Sequence, residues 1–538
     1  VILSVRSIPP KKQSSAFAKD EAKGFFALFG LSFLGILFLF VSTKSWGIGV
    51  STDSVHYLTA ARHLMTGKGL SLFQGSEIVA MTQWPPLFSI LLAIQGMLGM
   101  DLLSGARALN IFLFGASILL AGTMVRSHPG TLWTAVLASF MMLTSTTLLG
   151  VHSMAWSEPL FIFFGFLGLF LLELYLSRDS KAWLLAASAG SIALAFLARY
   201  AGASLVATGI IGIFLFHRGS NTRKILDCIL FAAVSCFFMG IWLFRNLQAA
   251  HNLWNREFSF HPMILDFGGE TLLHLSRWFL PSRWVPSIVG GTVSLLIIAA
   301  LSAAMIVFER KQRQKRQGAT DLDSSKPSLM PVFIFCYLLV LFIHMTFFAS
   351  HFHVDDRILS PVFVALLILI LSVIAKFWHV IEKQRTVRMA FMGLLALYVF
   401  AYSAKAIRWG FQIYQEGQEY ASKEWRESEL IRKVKDFPPE TLIYTNAPDA
   451  VYFFTGRFSS YPPGKRRWNK LTEKLEDRGD DLLKFAAMKE RLKEEKGVVV
   501  YFHKIKRMKY PSEDELVEKL DLRRTVRVAD GAIYKVKE

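Results

Sequence analysis

Residues 24–43 read GFFALFGLSFLGILFLFVST, twenty positions without a charged side chain and with apolar residues on every face of any helix they form. A segment of roughly 20 such residues matches the ~30 Å hydrocarbon thickness of a bilayer and has no polar stripe to turn toward water. It is long enough to remain as an anchor. Lys11, Lys12, Lys19 and Lys23 precede it as a basic leader over residues 1–23. Similar runs follow near residues 104–125, 130–149, 159–176, 183–198, 201–216, 226–244, 286–308, 329–348, 358–376 and 388–407. The reading is a mainly α, polytopic membrane protein with about eleven transmembrane helices.

Composition agrees. Of 538 residues, 53% are hydrophobic, 14% aromatic and 19% charged, where soluble domains carry about 25% charged residues. That excludes an ordinary soluble enzyme, a disordered chain and a disulfide-knit secreted module. Cys228, Cys236 and Cys336 all lie in apolar runs and read as small hydrophobes. The net charge of +19 is unevenly spread, because residues 409–538 hold 27 basic and 23 acidic side chains. The surplus belongs to the membrane part, where cytoplasmic loops collect Lys and Arg. No nucleic-acid motif accompanies it.

Alternating the spans from a cytoplasmic leader makes the loops 126–130, 177–182, 217–224, 309–326 and 377–388 cytoplasmic. They carry Arg178 and Lys181, then Arg218, Arg223 and Lys224, then the basic run Arg310–Arg316, then Lys383, Arg385 and Arg388. The positive-inside bias is met at nearly every turn. Residues 24–408 are therefore the membrane module, with a long exoplasmic first loop at 44–103 containing a short amphipathic helix. An odd number of spans places residues 409–538 on the exoplasmic side. There, strand-like runs at Leu442–Thr445, Val498–Phe502, Thr525–Val528 and Ala532–Val536 alternate with helical stretches such as Lys470–Lys496, which predicts a small α/β domain. Ser459–Trp468 reads as an ordered loop.

The polar residues at span ends fall on one side. The first loop holds Asp53, His56, Tyr57, Lys68 and Trp84, and the second holds Ser157-Glu158-Pro159. Arg199 stands between two spans, Arg245 ends another, Arg256 follows it, and Asp355-Asp356-Arg357 opens the tenth. Each has an ordinary explanation: Thr52 or Asp53 caps a helix, Glu158 complements a helix dipole, and interfacial arginines snorkel to headgroups. Yet the positive-inside rule predicts few arginines on this face. A guanidinium is also the natural partner of a phosphate. Acids and arginines gathered at one face favour a site.

The pattern Asp53-(x)3-Tyr57-(x)3-Ala61-Arg62-His63-Leu64-(x)2-Gly67-(x)-Gly69, followed by Trp84-Pro85-Pro86-Leu87, resembles the first loop of polyprenyl-phosphate-sugar-dependent glycosyltransferases of the C superfamily (GT-C). That group includes protein mannosyltransferases and the aminoarabinose transferases acting on lipid A. Ser157-Glu158-Pro159 resembles their second-loop acid motif. Ala198-Arg199-Tyr200-Ala201-Gly202 and Asp356-Arg357-Ile358-Leu359-Ser360-Pro361 are similar to further signatures.

The resemblance implies an inverting transfer of a hexose or pentose from a polyprenyl-phosphate-linked sugar to a lipid, protein or glycan acceptor. The place implied is the exoplasmic face of a membrane such as the bacterial inner membrane. Asp53 is the implied base for the acceptor hydroxyl, with Glu158 orienting acceptor or sugar. Arg199, Arg245 and Arg357, assisted by Lys68 or Arg256, hold the departing phosphate, and His56, Tyr57 and Trp84 line the sugar. Some relatives carry paired acids in the first loop where this chain has the lone Asp53, so a divalent metal and no cofactor at all both stay open. His351 and His353 beside Asp355 and Asp356 suit a metal by composition, and loop exposure explains them equally. Rival readings are a membrane transporter, a non-catalytic subunit built on the same scaffold, and a lipid-linked polymer ligase. A transporter is disfavoured because the notable charges sit at span ends rather than at the midplane.

Overall fold

The computed structural model describes residues 10–538 except 75–76, 129–130, 178–180, 254–257, 259, 261–263, 280–288, 290–291, 294, 297–298, 301–302, 304–326, 349–353, 465, 470–473, 478–481, 508 and 538. The chain is mostly helical. Among the described residues, seven helices are long and apolar enough to cross a membrane, or eight if one bent pair counts as a span. They lie within α1 (Pro10–Ser42), α4 (Leu102–Ser127), α7 (Glu158–Tyr175), α10 (Asn221–Ala250), α12 (Met330–Phe348), α13 (Asp356–Ile381) and α14 (Arg385–Glu416).

The bent pair is α5 (Leu132–Thr144) and α6 (Thr146–His152), turned by 58° at Ser145. The Ser145 side chain accepts from Leu148 N at 3.3 Å, which restarts the helix after the bend. Two shorter apolar helices, α8 (Ala182–Ala198) and α9 (Ala203–Phe216), follow α7. Ten of the eleven expected spans fall on these helices. The remaining one, at 286–308, lies largely outside the described residues.

Lipid offers little hydrophobic incentive for helices to associate, so close packing through small residues does that work. A β-carbon on Gly168 would lie 2.6 Å from Ile192 of α8, and one on Gly122 would lie 2.2 Å from Ser139 of α5. A larger residue at either position would force its neighbour to shift.

The first loop contains α2 (Thr52–Met65), the antiparallel hairpin β1 (Ser71–Gln74) and β2 (Glu77–Ala80), and α3 (Leu87–Met97). Most residues of α2 are buried, and it packs on α3 and on β1. Its cap is Ser51, whose N–H donates to Ser54 Oγ at 3.1 Å. Asp53 is thereby left without capping duty.

Helix α14 continues past residue 408 to Glu416 before the C-terminal domain. There β3 (Ile443–Thr445), β6 (Val498–Phe502), β7 (Leu522–Val528) and β8 (Gly531–Val536) form one sheet in the order β3-β6-β8-β7. The pair β3/β6 is parallel and the others are antiparallel. All four expected strands are present. Among the described residues of the expected helical stretch 470–496, α18 (Leu482–Glu494) is helical, while Lys474–Asp477 is strand β5, paired with β4 (Arg466–Asn469). The end of the expected loop 459–468 is likewise strand.

Candidate functional site

Four consecutive anchors fix the peptide leading into α2. Gly49 pairs with the second loop (Gly49 N to Ser153 O 2.8 Å, Ala155 N to Gly49 O 2.9 Å), and Val50 O accepts from Tyr420 N at 2.9 Å. Ser51 Oγ accepts from Trp156 Nε1 at 2.8 Å. Thr52 Oγ1 donates to Asp449 Oδ2 at 2.5 Å. The next residue is Asp53. The second loop has its own tie, because buried Asn110 of α4 donates to Met154 O at 2.7 Å. All these loops meet at one end of the bundle.

At that end, four charged side chains distant in sequence form a chain of ion pairs. Arg357 Nη1 donates to Asp53 Oδ2 at 2.8 Å. Its Nε donates to Glu158 Oε1, and the same oxygen receives Arg199 Nη1. Glu158 is 1% exposed. Two cations on one carboxylate oxygen offset the cost of burying that charge. Its other oxygen, Oε2, has no hydrogen-bond partner among the described residues. The two guanidiniums keep 21% and 20% of their side-chain surface exposed, and Asp53 keeps 30%. The quartet is therefore neither sealed into the core nor dissolved in solvent.

Local structure explains each position. Arg199 is extended (φ −151°, ψ 139°) in the break between α8 and the short turn Tyr200–Gly202, so its side chain leaves the helix axis at the bundle end. Arg357 lies in the first turn of α13, which Asp355 caps by accepting from Ile358 N at 2.8 Å. Its neighbour Asp356 is held by His274 Nδ1 and Trp278 Nε1, both at 2.9 Å, from α11 (Ile264–Phe279). Glu270 of the same helix accepts from Val354 N at 2.7 Å. Trp156 lies under the Arg357 guanidinium at 3.9 Å, a cation–π contact that keeps the fork in one plane.

The other expected residues divide into three groups. Tyr57 is fully buried, with its hydroxyl 3.0 Å from Ser157 Oγ, beside Glu158. Burial and the nearby Glu158 carboxylate raise its pKa, so the phenol stays protonated. His56 stacks on Trp84 at 4.5 Å between ring centroids, and Trp84 also meets Tyr57 edge-on. Burial lowers the His56 pKa against the opposing pull of Asp53 and Asp449.

These three stand with the quartet. Arg245 and Lys68 do not. Arg245 gives its guanidinium to Met81 O at 2.8 Å and Leu70 O at 2.7 Å and lies over Trp242, which fastens the first-loop hairpin to α10. Lys68 is exposed beyond the far end of α2. Arg256, His351 and His353 lie outside the described residues.

Sequence reasoning gave no role to Trp156 or to Asp449, whose surroundings in the C-terminal domain carry no motif. The pairing of Tyr420 with Val50 brings Asp449 to the first loop, and no local pattern encodes that. Among the described residues, no group of three or more His, Cys, Asp or Glu side chains is arranged to hold a metal ion. Asp53 and Glu158 are both committed to guanidiniums. Among the described residues, this donor set does not fit a resident divalent cation.

No family model matches the chain, and no curated protein matches it. Solved structures do. The chain is similar to ArnT from Cupriavidus metallidurans bound to undecaprenyl phosphate, with a TM-score of 0.56 at 12% identity over 95% of this chain and 98% of that one. It is also similar to the oligosaccharyltransferase AglB from Archaeoglobus fulgidus in complex with an inhibitory peptide and a dolichol-phosphate (TM-score 0.54, 11% identity, 88% of this chain and 69% of that one). The arabinofuranosyltransferase AftD from mycobacteria matches with a TM-score of 0.50 at 14% identity, over 95% of this chain and 41% of its own. At these identities the likeness is one of architecture, and it extends from the first span through the C-terminal domain: this multi-pass membrane protein has the fold of the GT-C glycosyltransferases.

Proposed function

We propose that the protein is an inverting glycosyltransferase that moves a sugar from a polyprenyl-phosphate carrier to an acceptor hydroxyl at the exoplasmic face. A bacterial inner membrane, with the C-terminal domain in the periplasm, is the setting this reading favours. The observation that carries it is the quartet itself. Asp53, Glu158, Arg199 and Arg357 come from four separate segments and meet at one end of a GT-C bundle.

The chemistry follows from the contacts. The donor carries an anionic phosphodiester that cannot leave the bilayer surface, and Arg357 and Arg199 are the cations placed to receive it. Arg357 at rest is paired with Asp53. A phosphate that takes over its Nη1 releases the Asp53 carboxylate.

Asp53 then accepts the proton of the acceptor hydroxyl as that oxygen bonds to the anomeric carbon. The bond from that carbon to the phosphate oxygen breaks, and its electron pair leaves with the phosphate. The guanidiniums stabilise the growing charge, and attack opposite the leaving group inverts the centre. Glu158 holds both arginines through one oxygen, and its unpartnered Oε2 offers a buried acceptor to a substrate hydroxyl. Trp84 and His56 form a flat wall for the sugar. Arg245 serves by fastening the hairpin.

The test is incubation of the purified full chain, in membranes, with a panel of undecaprenyl-phosphate-linked hexoses and pentoses, scoring which donor is consumed. Consumption of one member, lost by at least a hundredfold in Asp53→Asn, is expected. Consumption of none, or near-full activity in Asp53→Asn, refutes the reading.

A further inference from the structure

Asp53 is held in place by the residue before it, and that residue is held by the C-terminal domain. Thr52 opens α2, and its hydroxyl donates to Asp449 Oδ2 at 2.5 Å. Asp449 lies in the first turn of α17 (Pro448–Thr455) and is 9% exposed. The same Oδ2 accepts from Tyr420 OH at 2.6 Å, while Oδ1 faces Arg507 Nη2 at 3.3 Å. Arg507 in turn sits over the ring of Tyr461, which stacks on Tyr510.

The carboxylate is thus fixed by two side chains besides Thr52. The acceptor of the link is a carboxylate oxygen, and hydrogen bonds to carboxylates are the stronger kind. The adjoining backbone is tied to the same domain, since Tyr420 N donates to Val50 O at 2.9 Å. Among the described residues, no hydrogen bond or ion pair joins these side chains to the Asp53–Arg357–Glu158–Arg199 quartet. Their effect on it passes through the first turn of α2.

We infer that Asp449 is a positioning residue of the transfer reaction: through Thr52 it sets the register of the α2 N-terminus, and with it the direction in which the Asp53 carboxylate points. The C-terminal domain is on this view part of the frame of the reacting centre and not only a cover for it. The inference rests on the proposed transferase activity, because Asp53 must act as base for its placement to matter. A reaction that depends on a positioned base loses about a hundredfold for a displacement of the order of 1 Å. A lost anchor one residue away is therefore expected to appear in turnover and not in lipid binding.

The test uses the full-length protein with Thr52→Val, Thr52→Ser, Asp449→Asn and the double variant Thr52→Val/Asp449→Asn. Three quantities are read: turnover of the undecaprenyl-phosphate sugar that the wild type consumes, affinity for undecaprenyl phosphate, and thermal unfolding. Thr52→Val and Asp449→Asn should each lower kcat about tenfold or more, with undecaprenyl phosphate affinity within about twofold of wild type. Thr52→Ser, which keeps the hydroxyl, should restore turnover. The double variant should be no worse than the poorer single, because both changes act on the same link.

Unchanged turnover in both single variants overturns the inference. So does loss of turnover together with undecaprenyl phosphate binding and a lowered unfolding temperature, the pattern of a general fold defect. Multiplying effects in the double variant also count against it. If the wild type consumes no donor at all, the transferase reading fails and takes this one with it. A consuming wild type with fully active Thr52→Val and Asp449→Asn removes the inference alone.

Discussion

Helix α7 carries a fully buried glutamate at each end, Glu158 in its first turn and Glu173 in its last, at 1% and 0% exposure. Fifteen residues, about 22 Å along the helix axis, separate them. Both pay the same desolvation cost, but they are compensated differently. Glu173 accepts from Leu329 N at 2.7 Å, where the chain enters α12, and lies 3.8 Å from His128 Nε2. A main-chain N–H cannot leave as a long side chain can, so this bond pins Glu173 to the start of α12. Glu158 is compensated by two long, partly exposed guanidiniums whose charge another anion can claim. Burial alone does not distinguish a working carboxylate from a structural one; the exchangeability of its partners does.

The strongest way to break that contrast is Arg357→Ala. It removes the residue that joins Asp53 to Glu158, while Arg199 still covers Glu158. Truncating one member of a desolvated charge pair typically costs about 2–5 kcal/mol in binding. Undecaprenyl phosphate affinity should fall thirtyfold or more, with acceptor affinity much less changed. Equal losses for both ligands would show that Arg357 only holds the fold.

A smaller effect is expected from Glu158→Gln. The amide keeps the volume but no longer balances two guanidiniums, so their orientation loosens. Turnover should fall by roughly 10- to 100-fold, the range for a misplaced electrostatic group. The unfolding temperature should fall less than in the matched change at the other end of the helix, Glu173→Ala. That change strands Leu329 N–H and should cost about 1–3 kcal/mol of stability. Turnover per folded molecule should stay at the wild-type level. A Glu173→Ala protein that is stable but inactive would make the two ends alike.

What could be read from sequence follows the same division. The spans were legible because a run such as 24–43 has to satisfy the bilayer residue by residue, and no distant partner is needed. Asp53, Glu158, Arg199 and Arg357 could be picked out because charges beside apolar spans are costly and hence rare. Their mutual arrangement was not legible, since it depends on helix α11 gripping Asp356 and on the break at Arg199. Arg245 carried the same local signal as Arg357, yet its donors go to the carbonyls of Leu70 and Met81. Thr52 and Asp449 gave no signal, because a threonine at a helix start and an acid in a soluble-looking domain are ordinary until the fold joins them. Strand β5 was hidden inside a charge-rich stretch whose composition suits a helix, and β4 at the end of a stretch read as a loop.

His56 gives the smallest and most specific expectation. It stacks on Trp84 between Asp53 and the hairpin, outside the spans, and burial lowers its pKa even though Asp53 and Asp449 pull the other way. A histidine whose folded pKa lies below its unfolded value of about 6.5 binds fewer protons folded than unfolded in the interval between the two. Its contribution is fully present above pH ~6.5 and is lost as pH falls through the folded pKa. At neutral pH the ring is uncharged, and it adds no cation to compete with Arg357 for Asp53. Thermal unfolding followed from pH 7.5 down to 5 should show a loss that His56→Phe reduces, since Phe keeps the stack on Trp84 but cannot take up a proton. Identical pH dependence in the two proteins would mean that the ring titrates as freely as in water, and that the wall beside Asp53 is wetter than its packing implies.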